Sequence, residues 1–127
     1  MTTSAPHEAL TASLKSLRER VMGVNETVIA TSDGLLVAAD TATAQPESVA
    51  ALAAASLGLG RRTAAEVGLG GLRDVVTRAH GGYVVVLAVG DHALLVILAD
   101  EGLDLPGLHR EAPAAVDHIL SLLTTAA

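Results

Sequence analysis

The sequence predicts an α/β domain of the α+β type, a five-stranded antiparallel sheet with helices on both faces in the order α-β-β-α-β-β-β-α. Three observations lead to it. Apolar residues recur at helical spacing in three separate segments; strand-like segments come first as a pair and then as a group of three; and the separators inside those groups are short turns that leave their strands antiparallel. There are no internal repeats and no interior linker. Residues 1–8 are expected to be a disordered lead, and residues 9–124 a single domain.

The first helix is marked by Leu10, Leu14, Leu17 and Val21, with Lys15, Arg18, Glu19 and Arg20 between them, and Gly23 is suited to its left-handed cap. Residues 24–31, rich in Val, Ile and Thr, form a hairpin with residues 35–39 across the turn residues Ser32, Asp33 and Gly34. A longer helix opens at Pro46, with Glu47 in its first turn near the positive end of the helix dipole. At 100° per residue Val49, Ala53, Ser56, Gly60, Thr63, Ala64 and Val67 share one side, expected to pack on the sheet and flanked by Leu52, Leu57 and Leu59.

The opposite side of that helix carries Ala50, Ala51, Ala54, Gly58 and Ala65. After Glu47 its first charges are Arg61 and Arg62, so the helix is uncharged all round for several turns. A helix apolar all round is normally buried all round, and one small domain has too little material to sheath both sides. The small residues Ala50, Ala54 and Gly58 let a second backbone come close, which implies a self-association face and, most simply, a twofold dimer.

Gly68, Gly70 and Gly71 end the long helix, and the period then changes to that of strands over residues 73–80, 83–89 and 93–99. The second and third of these are apolar at every position, as central strands covered on both faces are. The first carries Arg73, Asp74 and Arg78 and reads as an edge. A last amphipathic helix is marked by Leu108, Ala112, Val116, Ile119 and Leu123, with Asp104 as its N-cap; Pro113 implies that it either kinks or starts late.

Composition excludes several functions. The 127 residues hold 8 Lys plus Arg against 14 Asp plus Glu, a net charge of −6, and no Cys, Trp or Phe. There is no thiolate nucleophile, disulfide or Cys-ligated metal site. The acidic balance and the single aromatic residue, Tyr83, argue against nucleic acid. Uncharged stretches fall well short of the ~20 residues of a membrane helix, and a basic leader followed by an apolar run is missing, so a cytoplasmic protein without membrane insertion is expected.

No catalytic constellation emerges. His7, His80, His92, His109 and His118 are dispersed, and each reads as a surface or turn histidine rather than a metal ligand. Gly58-Leu59-Gly60 and Gly68-Leu69-Gly70-Gly71 contain Gly-x-Gly, but neither follows a strand and opens a helix, as phosphate binding requires. Asp33, Asp91 and Asp100 lie at strand ends, where carboxylates serve turns. The expectation is a non-enzymatic protein with no cofactor and no metal.

Residues 28–38 (Val-Ile-Ala-Thr-Ser-Asp-Gly-Leu-Leu-Val-Ala), the Ala-rich helix after them, and residues 90–99 (Gly-Asp-His-Ala-Leu-Leu-Val-Ile-Leu-Ala) together carry a likeness. On these strings the chain resembles the roadblock/dynein-light-chain domains, more narrowly their bacterial MglB-like and conservon members, from about Ala9 to Leu123. The resemblance implies a longin/profilin-like fold that homodimerises through the long helix and the edge strand of the meander. It thereby adds Asp74, Val76 and Arg78 to an interface already expected at Ala50, Ala51, Ala54, Gly58, Arg61, Arg62 and Ala65. It also implies a non-catalytic regulator or scaffold for a small Ras-like GTPase, with a sensor-kinase-like protein as a further partner. The alternative is an adaptor for a kinase or polarity complex that is insensitive to nucleotide.

Overall fold

A computed structural model describes residues 4–125. Its elements are α1 (Ser4–Arg20), β1 (Val24–Thr31), β2 (Leu36–Asp40), α2 (Pro46–Glu66), β3 (Asp74–Ala79), β4 (Gly82–Val89), β5 (Ala93–Asp100) and α3 (Leu105–Thr125). The strands form one antiparallel sheet in the order β2-β1-β5-β4-β3, with β2 and β3 as its two edges. The expected fold class and element order are observed.

Strand alternation divides the apolar residues between two cores, one on each face of the sheet. Leu10, Leu14, Leu17, Ile29, Leu95, Ile97, Leu108 and Ile119 pack together beneath α1 and α3. Val28, Ala30, Val86, Leu94 and Val96 pack against Ala50, Ala53 and Leu57 of α2. Strands β4 and β5, covered on both faces, therefore have no polar face, which is why they read as near-continuous aliphatic runs.

Two expectations need correction, and of the two alternatives at Pro113 the late start is excluded. Helix α1 begins at Ser4, so residues 4–8 belong to the helix and only residues 1–3 of the expected lead fall outside the described residues. Pro6 lies in the first turn, where its missing amide costs nothing, and Thr11 Oγ1 donates to the His7 carbonyl at 3.0 Å. Helix α3 starts at Leu105 and runs through Pro113 without a late start. Asp104 caps it, accepting the Gly107 amide at 3.0 Å, and the carbonyl that Pro113 leaves without an amide is that of His109, on an exposed stretch.

The second correction concerns the rotation of α2. Its buried residues are Ala50, Ala53, Leu57 and Ala64, whereas Thr63 and Val67, expected on the sheet side, are exposed. The helix is turned by roughly 60° from the expected setting, at ~100° per residue. Hydropathy could not fix that angle, because between Val49 and Gly60 the helix carries no charge on any side. Contact does: Gly60 lies where β3 approaches, and a Cβ there would stand 2.8 Å from Leu72 Cδ2 and 2.9 Å from Val75 Cγ2.

Candidate interaction surface

The outer face of α2 follows from that rotation. Leu52 is 72% exposed and Leu59 68% exposed, one above the other two turns apart, with Ala51, Ala55 and Ala65 exposed around them. These two leucines, expected only as flanks of the sheet side, are the largest apolar groups on the surface of the helix. Their signal in the sequence is an i, i+7 leucine pair in an uncharged stretch.

Of the expected interface residues, Ala50 is 0% exposed against the sheet and is removed from the face. Ala54 packs into the α2 core as well, beside the β1–β2 turn, where a Cβ on Gly34 would approach its own Cβ to 3.5 Å. Ala51 and Ala65 are exposed, and Gly58 is half-buried with nothing within 4 Å of a Cβ placed on it. Arg61 and Arg62 separate: Arg61 Nη2 donates to the Gly90 carbonyl at 3.4 Å and Arg62 extends into solvent.

At the foot of α2 this face opens into an apolar groove of about 240 Å³, with Leu52 and Ser56 on one wall and Thr77, Val84 and Leu98 on the floor. The groove leads to β3. That strand pairs with β4 in unbroken register from Asp74↔Leu87 to Ala79↔Gly82 and leaves its outer edge open. Asp74, Val76 and Arg78 project to the α1/α3 side. Asp74 Oδ2 lies 3.5 Å from His109 Nε2, Arg78 stands over the Tyr83 ring at 5.9 Å, and Val76 between them is 39% exposed.

The other edge is protected. β2 is shorter, its register with β1 breaks between Ile29 and Ala30, and its last residue, Asp40, accepts Arg18 Nε at 2.6 Å. Bulges, short length and charge are the devices that keep an edge from pairing with another chain, and β3, six residues long against five in β2, lacks the break. The contact with Asp40 also raises the pKa of Arg18, by hydrogen bond first and by charge second.

One carboxylate in the hairpin was not singled out in the sequence. Glu26, the single charge within an otherwise uncharged strand β1, accepts the amides of Ala42, Thr43 and Ala44 at 2.6, 2.9 and 3.1 Å, and the Thr43 hydroxyl at 3.3 Å. The Ala44 and Ala42 amides, outweighing burial, hold its carboxyl below the ordinary value. Glu26 thereby fixes the residues that lead into α2. Among the described residues no group of three or more His, Cys, Asp or Glu could hold a metal ion, and no helix is long and apolar enough to cross a membrane.

The comparisons agree with this architecture. The family model for the Roadblock/LC7 domain matches residues 10–99. A Roadblock/LC7 domain from Streptomyces avermitilis superposes with a TM-score of 0.84 at 25% identity, covering 90% of this chain and 97% of that one. An MglB with a tetrameric arrangement superposes with a TM-score of 0.87 at 20% identity, over 97% of this chain and 93% of that one. An uncharacterised protein of Methanocaldococcus jannaschii is 29% identical over 101 residues, 79% of this chain and 88% of its own length. With all five strands but the last residue of β5, the long helix and most of α1 inside the matched span, the chain belongs to the Roadblock/LC7 domain family.

Proposed function

We propose that this protein is a non-catalytic homodimeric regulator or scaffold that binds a small Ras-like GTPase and modulates its nucleotide cycle in a bacterial signalling system. The observation that carries the reading is the exposed Leu52–Leu59 face of α2 beside the unbroken edge of β3. Burying each leucine contributes about 2 kcal/mol, and an open, regular edge strand supplies a row of backbone hydrogen bonds. Together they form a self-complementary surface of the kind a twofold dimer needs. The GTPase comes from the family likeness, and the dimer is the platform that would present a joint surface to it.

The test is a pull-down from the native cell lysate with the tagged protein, run in parallel with a non-hydrolysable GTP analogue and with GDP and read by mass spectrometry. A small GTPase enriched only with the GTP analogue supports the proposal and leads to hydrolysis assays. The same partners in both lanes, or a kinase without a GTPase, replaces it with the nucleotide-insensitive adaptor, because a ligand with equal affinity for two states shifts neither.

A further inference from the structure

We infer that the open edge of β3 is written for a second copy of this same chain in one register, centred on Val76, in which Asp74 of each protomer faces Arg78 of the other. The inference rests on the homodimer reading above and specifies its partner and alignment.

Backbone geometry supplies the first constraint. The Ala88 amide donates to the Arg73 carbonyl at 3.2 Å, and the Asp74↔Leu87 register continues from that pair. In an antiparallel ladder bonded pairs alternate with non-bonded ones, so residues 73, 75, 77 and 79 bond inward to β4. The amides and carbonyls of Asp74, Val76 and Arg78 consequently point outward. A twofold axis at Val76 pairs Val76 with its own copy and 74 with 78 on either side, using all three outward residues and no others.

Charge supplies the second. Asp74 and Arg78 lie equally far from Val76 on the same strand face, so the twofold brings them opposite each other twice, with the two Val76 side chains between. Moving the axis by one residue sets Asp74 against Val76 or against His80 of the second copy. Moving it by two sets Asp74 on Asp74 or Arg78 on Arg78, and like charges directly opposite each other are destabilising. A paralogue lacking the acidic-apolar-basic pattern at these positions would leave both charges unmatched. The pattern therefore selects self-pairing as well as register.

The experiment uses Asp74→Arg, Arg78→Asp and an equimolar mixture of the two, followed by sedimentation velocity with the wild-type chain alongside. Each single variant places like charges at both ends of the pairing and is expected to raise the dimer dissociation constant about tenfold or more. The mixture restores opposite charges at both ends and is expected to form a heterodimer near wild-type affinity. Recovery on mixing requires folded protomers, so misfolding cannot imitate it.

A second readout exploits the lack of native cysteine. Val75 and Thr77 of opposite copies form a non-bonded pair, with Cα atoms about 4.5 Å apart. Protomers carrying Val75→Cys and Thr77→Cys should cross-link on oxidation faster when mixed than either does alone. A wild-type dimer unaffected by the single reversals, or weakened by them without recovery on mixing, overturns this register and leaves self-association standing. A monomeric wild-type chain overturns the homodimer reading itself.

Discussion

Glu26 accepts the Ala42 amide at 2.6 Å across a gap of 16 residues, and with the Thr43 and Ala44 amides it ties the segment before α2 to strand β1. Because these hydrogen bonds favour the charged carboxyl, its folded pKa is lowered. A lowered carboxyl pKa contributes stability that is present above the unfolded-state value and is lost as pH falls through the folded-state value. Glu26→Gln is expected to cost about 1 kcal/mol at neutral pH, and the difference from wild type should shrink on acidification through the carboxylate range. Urea unfolding at a series of pH values measures it; a constant difference would show that the charge plays no part.

Thr27 is fully buried on β1, and its Oγ1 has no hydrogen-bond partner among the described residues. It lies opposite Ile97, on the face packed by α1 and α3. An unsatisfied buried hydroxyl carries a desolvation cost that a methyl of similar shape avoids. Thr27→Val is expected to stabilise the fold by about 1 kcal/mol, measured as a rise in the urea midpoint without a change in slope. A loss of stability would mean that the hydroxyl has a partner, such as an internal water.

Gly58 and Gly60, two residues apart on α2, should respond oppositely to alanine. Gly58 has open space around it, so Gly58→Ala gains helix propensity of about 1 kcal/mol. At Gly60 the new methyl would meet Leu72 and Val75 at under 3.0 Å, and overpacking of about 1–3 kcal/mol outweighs the same gain. Thermal melts in a Leu59→Glu background isolate the protomer from association. Equal responses at the two positions would contradict the placement of α2 against β3.

The order of elements was legible because strand and helix periods differ and the turns are short and rich in glycine. Both sides of the sheet could be read as buried, since residues 84–89 of β4 and 93–99 of β5 are aliphatic at every position. The setting of α2 about its own axis was not legible. An apolar stripe identifies a buried face only by contrast with a polar one, and between Val49 and Gly60 this helix offers none. Periodicity alone therefore sets Ala50 and Ala54 outward and Leu52 and Leu59 at the margin of the sheet side, and contact reverses both. A glutamate at Ala54 would push into the β1–β2 turn. The role of Glu26 was hidden for another reason: its partners are backbone amides 16 to 18 residues away, and backbone has no sequence signature.

The central claim is that the outer face of α2 and the β3 edge join two copies of the chain, and sedimentation velocity of the wild type beside Leu59→Glu tests it most directly. Leu59 is exposed in the protomer, so a glutamate there leaves the core intact and the circular dichroism unchanged. The account predicts a dimer for the wild type at micromolar concentration and a folded monomer for Leu59→Glu. A wild-type monomer at high micromolar concentration, or a variant that remains fully dimeric, would contradict it.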